Sequence, residues 1–250
     1  MLKKSFVIEQ AKLARYNKKN FDNDICFDYS NVLGWDYEVQ DWYTLYFGLF
    51  FIDYFKLNKE QCIDVGALKG LYSSVYARHF KNVHTFEPNP YAHAICKMNF
   101  NRQDIHNVSL YNVALFNEEK ETDFYMKFFD KNKTNITGQS NTEKEIIQEN
   151  GLVTEKIKVN TKTLDSYNFN PSFIKIDAEG ANLNILKGAL KTIKRYKPFL
   201  QIENDTALEN NPVIEDMLFN LGYSKIDLNS FKYIYNGSWD LTDSYFLHNG

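Results

Sequence analysis

The chain has 250 residues, 44% of them hydrophobic and 24% charged, with a net charge of −3. That length and composition suit one large soluble domain with a modest extension, and they exclude a mainly disordered chain. The slightly acidic balance argues against a protein held on nucleic acid by phosphate contacts, and the three cysteines, Cys26, Cys62 and Cys96, lack the spacing of a disulfide framework or a structural zinc site.

Met1-Leu2-Lys3-Lys4 is basic, but the apolar run Phe6-Val7-Ile8 stops at Glu9. A secretory signal needs a longer run, so a cytoplasmic, reducing setting is expected. Residues 1–57 read as a helical N-terminal extension. Within it, Tyr43 to Phe55 is the most apolar segment. It is too short to span a bilayer and is broken by Asp53, so it reads as a core helix, with membrane-surface attachment as the minor alternative. Its aromatic surface would serve an oligomer interface as well as a lid.

From Gln61 onward, strands alternate with helices. Residues 62–65, 83–86, 108–113, 173–176 and 199–202 read as strands. Helical spacing covers 68–80, 90–101, 182–196 and 212–221, with Pro90 at a first turn and Gly222 as a helix-ending glycine. The tail adds strand-like runs at 224–228, 232–235 and 244–248. This order predicts an α/β fold with a mostly parallel sheet over residues 58–250. An inserted strand pair at about 122–161 interrupts it, carrying a long polar loop over 130–150.

Asp64-Val65-Gly66-Ala67-Leu68-Lys69-Gly70 follows a strand and opens a helix. Glycines in that place let backbone approach a nucleotide-type ligand. The spacing D-x-G-x-x-x-G differs from the dinucleotide fingerprint. The early carboxylate would repel a pyrophosphate but suits a ligand with a cationic end, such as S-adenosylmethionine. Glu87, 23 residues after Asp64, stands at the tip of the second strand, where a carboxylate accepts ribose hydroxyls. The third strand ends at Asn112-Val113-Ala114, beside the expected position of the base. Asn112 serves there either as a base contact or as a turn cap. The expected cofactor site therefore comprises Asp64, Gly66, Ala67, Gly70, Glu87, Pro88, Asn112, Val113 and Ala114.

The segments IDVGALKGLYS (63–73), FEPNP (86–90), NVAL (112–115), TLDSY (163–167), FIKIDAEGANLNILKGA (173–189) and KPFLQIEN (197–204) resemble the FkbM-type S-adenosylmethionine-dependent methyltransferases. The resemblance covers roughly residues 60–205. It implies a class I methyltransferase fold, a Rossmann-like seven-stranded sheet with helices on both faces and one antiparallel strand near an edge. It also implies O-methylation, often of sugar hydroxyls in polysaccharides, glycolipids or natural products. Leu68 stands where the family usually has Asn.

Methyl transfer from a sulfonium requires an aligned acceptor oxygen and removal of its proton. Asp177 follows the fourth strand and Glu203-Asn204 the fifth, so the sheet brings them to one crevice. Asp177 and Glu203 are the expected catalytic residues. With Asn204 they form a hard oxygen set suited to Mg2+ or Mn2+, a layout similar to that of metal-dependent catechol-type O-methyltransferases. Without metal, Asp177 or Glu203 is the general base. Glu179 suits the dipole of the helix that follows. Lys175 pairs with Glu179 or Asp177, or reaches solvent. The basic side of helix 182–196 (Lys187, Lys191, Lys194, Arg195, Lys197) reads as a solvated face, with sugar-nucleotide phosphates as the sharper option. Among the histidines, His248 is the least excluded as a base.

The leading expectation is O-methylation of a carbohydrate hydroxyl, nucleotide-linked or in a surface glycan precursor. Nucleic acid is not the expected partner. The alternatives are an RNA ribose 2′-O-methyltransferase using Asp177, Lys187 and Glu203, and a non-catalytic cofactor-binding subunit.

Overall fold

The computed structural model describes residues 39–128, 153–204, 211–227 and 243–250. The polar loop expected at 130–150 and the strand-like run at 232–235 lie outside these residues.

Helix α1 (Val39–Tyr54) leads into β1 (Gln61–Val65), α2 (Leu71–Tyr76), β2 (Asn82–Phe86), α3 (Pro90–Arg102) and β3 (Val108–Tyr111). A short β4 (Ala114–Leu115), the long β5 (Glu121–Phe128) and β6 (Val153–Lys162), and a 3-10 turn at Leu164–Tyr167 come next. Then follow β7 (Phe173–Ile176), α4 (Asn182–Lys187), α5 (Leu190–Tyr196), β8 (Phe199–Glu203), α6 (Asn211–Asn220), β9 (Tyr223–Lys225) and β10 (Asp243–His248).

Seven strands form one sheet in the order β3-β2-β1-β7-β8-β10-β9, with β10 antiparallel to both its neighbours. This is the expected class I methyltransferase architecture. The inserted segment forms a second sheet, β4-β6-β5, whose long arms β5 and β6 pair antiparallel from Glu121–Asn160 to Phe128–Val153. Among the described residues, no helix is long and apolar enough to cross a membrane.

Alternation along the strands sorts side chains between two faces. One face is apolar: Ile63, Val65, Phe86, Ile174, Ile176, Leu200, Ile202 and Phe246 pack there with Ile185, Leu186 and Ile193. The other face is banded. Register aligns an apolar row, Val83-Cys62-Phe173-Phe199, and above it a polar row, Thr85-Asp64-Lys175-Gln201. Helix α1 covers the apolar row with Leu45, Phe50, Phe51 and Ile52, all buried, and the Phe51 ring lies 5.6 Å from Phe199 and 5.0 Å from Tyr245. Each phenyl buried this way contributes about 2 kcal/mol. The segment is thus a core helix, as its composition predicts.

Two helices differ from the sequence expectation. The helix foreseen from Leu68 starts only at Leu71, because Leu68 (φ 50°) and Gly70 (φ 85°) are left-handed and belong to the glycine turn. The helix foreseen over 182–196 is broken into α4 and α5 at Gly188. A Cβ there would stand 1.9 Å from the Phe116 carbonyl oxygen, so the chain must be bare where it crosses the exit of β4. Asp165 restarts the helix by accepting from the Lys191 and Thr192 amides at 3.0 and 2.8 Å. By contrast, α3 begins as the sequence predicts, with Pro90 in its first turn and Asn89 Oδ1 accepting from Tyr91 N at 3.0 Å. α6 ends one residue early, at Asn220, and Gly222 (φ 86°) stands just past its end.

Candidate active site at the strand tips

The glycine turn connects β1 to α2. Its first amides, Gly66 N and Ala67 N, donate to the Phe86 carbonyl at 3.0 and 3.3 Å, which ties the turn to the tip of β2. Gly66 (φ 81°) is pressed against the tip of β7: a Cβ there would lie 1.7 Å from the Asp177 carbonyl oxygen. Gly70 is pressed likewise against the Phe100 ring, 2.9 Å from the position of a Cβ. Both positions therefore require glycine, for space as well as for φ.

Glu87 sits just past β2, only 5% exposed. Leu68 N donates to its Oε2 at 2.7 Å and Asn89 N to its Oε1 at 2.8 Å. Burial pushes the carboxyl up to about 8, against the pull of these two amides. Half-buried Pro88 follows, and its carbonyl and that of Glu87 accept from Asn112 Nδ2 at 3.0 and 2.8 Å. Asn112 thus bridges the tips of β2 and β3, which favours its turn-capping role. Ala114 is buried and paired with Thr161 in the small sheet, and Val113 packs against the apolar core. A groove of about 660 Å3 opens beside Asn112 and Val113, lined also by Tyr111, Tyr167, Lys120 and Lys162.

Asp64 departs from expectation. It lies beneath the turn, fully buried, rather than in its mouth. Ser73 Oγ donates to its Oδ2 at 2.5 Å and also contacts Thr85 Oγ1 at 2.6 Å, while Asp64 Oδ1 has no hydrogen-bond partner among the described residues. Burial pushes the Asp64 carboxyl up, opposed chiefly by Lys175, its register partner on β7. The cation that Asp64 faces is therefore one of the protein's own.

Lys175 is the residue whose role the sequence left open. Only 1% exposed, it places Nζ 2.7 Å from Asp177 Oδ2 and 4.1 Å from the centre of the Tyr72 ring. Burial alone would lower its ammonium, but Asp177, Asp64 and Asp243 outweigh that and hold it above its ordinary value. Next to it, Gln201 accepts from Tyr76 Oη at 3.0 Å and donates to Asp243 Oδ2 at 2.8 Å.

Asp177, Glu179 and Glu203 converge, each offering a carboxylate oxygen within 4.8 Å of the other two. Burial opposes ionisation of Asp177, yet Lys175 and a hydrogen bond shared with Glu203 hold its carboxyl below the usual range. Glu203 is pushed up to about 11 by the Asp177 charge and by burial. At neutral pH without a bound cation, Asp177 is therefore the carboxylate and Glu203 the acid.

Two expectations need correction here. Asn204 does not join the cluster: alternation turns it to the other face of β8, where its Oδ1 accepts from Ser244 Oγ at 2.6 Å. Glu179 joins instead of serving the helix dipole, because Glu179 (φ 46°) and Gly180 (φ 97°) reverse the chain before α4 begins. Asn182, overlooked in the sequence, locks this turn by accepting from Ala178 N at 3.1 Å and donating to the Glu203 carbonyl at 3.0 Å. His248 is also excluded as a base: it ends β10 beside Tyr223, whereas Asp243 at the start of that strand faces Glu203, roughly 17 Å away along an antiparallel strand. The lysines and arginine of α4 and α5 are exposed, and α5 runs toward the strand starts, away from the tips.

The methyltransferase FkbM domain model matches residues 64–225. The chain belongs to the FkbM methyltransferase family. A crystal structure of methyltransferase FkbM from Methylobacillus flagellatus is similar with a TM-score of 0.51 and 17% identity, over 94% of this chain. This chain spans 60% of that protein's length. An rRNA methylase from Streptococcus thermophilus (TM-score 0.44, 14% identity, 76% of this chain and 86% of that one) is a more distant neighbour. So is a Streptococcus mutans protein in complex with SAH (TM-score 0.43, 12% identity, 76% and 88%). No curated protein matches the sequence.

FkbM methyltransferases are of the S-adenosylmethionine-dependent type. The residues at the strand tips suit that cofactor: Glu87 offers a carboxyl group to a ribose diol, Gly66 brings bare backbone to the crevice, and among the described tip residues acidic side chains stand where a phosphate ligand would need cations.

Proposed function

We propose that this FkbM-family chain is an S-adenosylmethionine-dependent O-methyltransferase acting on a carbohydrate hydroxyl. The observation that carries this reading is the contact between Gly66 of the cofactor turn and the backbone of Asp177, which stands at the head of the three-carboxylate cluster. The glycine turn and Glu87 would hold the cofactor, and Asp177, in contact with that turn, would meet an acceptor hydroxyl approaching along the cluster.

S-Adenosylmethionine supplies the methyl group when bound. The chain's residues then hold and move a proton. Asp177, kept ionised by Lys175, accepts a hydrogen bond from the acceptor hydroxyl and takes its proton as the oxygen acquires the methyl group. Glu203, protonated, donates to a neighbouring oxygen of the acceptor. Such a site suits a neutral polyhydroxyl ligand, whose hydroxyls satisfy carboxylates. It is ill suited to a phosphodiester backbone, which the ionised Asp177 repels.

A divalent ion offers a second version of the same reaction, favoured by the mutual approach of Asp177, Glu179 and Glu203. Their hard oxygens would hold Mg2+ or Mn2+, and the ion would lower the pKa of the bound hydroxyl.

Incubation of the protein with S-adenosylmethionine and a panel of nucleotide sugars, with and without EDTA, tests both versions by mass spectrometry. A gain of one methyl on one sugar supports the carbohydrate reading, and Asp177→Asn is expected to cut that rate at least ~100-fold. Loss with EDTA and return with Mg2+ selects the metal version. No gain on any sugar or glycan, with a methyl gain on RNA, overturns the reading.

A further inference from the structure

Leu68 holds an unusual place. It lies in the glycine turn with φ 50°, a left-handed backbone that a leucine rarely adopts. Its backbone is fully committed: Leu68 N donates to Glu87 Oε2, and Leu68 O accepts from Cys96 Sγ at 3.1 Å. Its side chain leaves the turn and packs into the small core formed by Phe124, Met126 and Phe128 of β5 with Ala92 of α3. Those three hairpin side chains are at most 3% exposed. The hairpin thus rests on two supports, Leu68 and the first turns of α3, where the Tyr91 ring stands edge-on to Phe128 at 5.7 Å.

Both supports are tied to the same carboxylate. Leu68 N holds one Glu87 oxygen, and Asn89 N, at the cap of α3, holds the other at 2.8 Å. Any ligand that engages Glu87 therefore acts on the two segments that carry the hairpin. The reverse also holds, since a coupling free energy between two sites is reciprocal.

We propose that Leu68 is a positioning residue that docks the β5–β6 hairpin onto the cofactor turn, so that hairpin placement and cofactor occupancy at Glu87 form one equilibrium. This rests on the reading of Glu87 as part of the cofactor site. A polar residue in the left-handed conformation would keep the turn and its amide contact while giving up the hairpin. The leucine accepts an unfavourable backbone in return for that contact.

Leu68→Asn separates the two roles, because Asn tolerates the left-handed backbone and retains the amide that binds Glu87. SAH is titrated calorimetrically into wild type, Leu68→Asn and Leu68→Met, and hydrogen exchange is followed at residues 124–128 and 157–159. In wild type and Leu68→Met, SAH is expected to slow exchange in the hairpin. In Leu68→Asn that response is lost and SAH binds about 5-fold more weakly or worse, the lower end of ordinary coupling. Met126→Ala, acting from the hairpin side, produces the same loss and keeps the test independent of the turn. SAH binding by wild type with no change in the hairpin overturns the coupling alone, as does Leu68→Asn with wild-type affinity and response. Failure of wild type to bind SAH overturns the cofactor reading, and the coupling with it.

Discussion

Gly66 and Asp177 are in backbone contact: no side-chain atom fits between the cofactor turn and the tip of β7, since a Cβ on Gly66 would stand 1.7 Å from the Asp177 carbonyl oxygen. This apposition joins the glycine turn to the three-carboxylate cluster at the tips of β7 and β8. Gly66→Ala must both strain φ and displace β7. The expected cost is about 3 kcal/mol or more in urea denaturation, with loss of SAH binding. An alanine variant with wild-type stability and affinity would refute the contact.

Lys175 is the one buried cation facing Asp64 and Asp177 among the described residues. Lys175→Met leaves the buried Asp64 and the half-buried Asp177 without it, at an expected cost of about 3 kcal/mol. Adding Asp177→Asn removes one of the orphaned charges and recovers part of that loss. Chemical denaturation of the two single variants and the double variant measures the coupling; simple additivity would contradict the pairing.

Glu87 gives the ligand-free protein a pH signature. Its folded value of about 8 lies above the unfolded carboxylate value of roughly 4.3. The folded state then binds the proton more tightly, so the stability linked to this group is complete below the unfolded value and lost as pH rises through about 8. Wild type should lose more Tm than Glu87→Gln between pH 5 and pH 8.5. Equal slopes in the two proteins would show that Glu87 is not the responsible group.

Asp165 explains why the TLDSY segment matters to the fold. Its carboxylate accepts from the amides of Lys191 and Thr192 and from Thr192 Oγ1 at 2.8 Å, capping α5 from across the chain. Asp165→Ala should destabilise by about 1 kcal/mol, the usual worth of a cap, and leave SAH affinity unchanged.

The alternation of strands and helices, the glycine turn, Glu87 at the tip of β2 and Asp177 and Glu203 at strand tips were all legible in the sequence. Each depends on short-range periodicity and on the rule that parallel strands end at one crevice. The same alternation, applied one residue further, explains the error at Asn204: adjacent residues on a strand point to opposite faces, so Glu203 and Asn204 cannot share a site while the strand geometry continues. Tertiary structure alone decided the rest. Glu179 enters the cluster because two successive left-handed residues reverse the chain, and Lys175 turns inward because register sets it beside Asp64 and Asp177. Helix 182–196 breaks because Phe116 crosses it, and Leu68 faces the hairpin because β5, some 55 residues later, folds back over the turn. Local pattern specifies which elements form and which ends they share. Which side chains meet depends on contacts between residues far apart in sequence, and no local period carries that information.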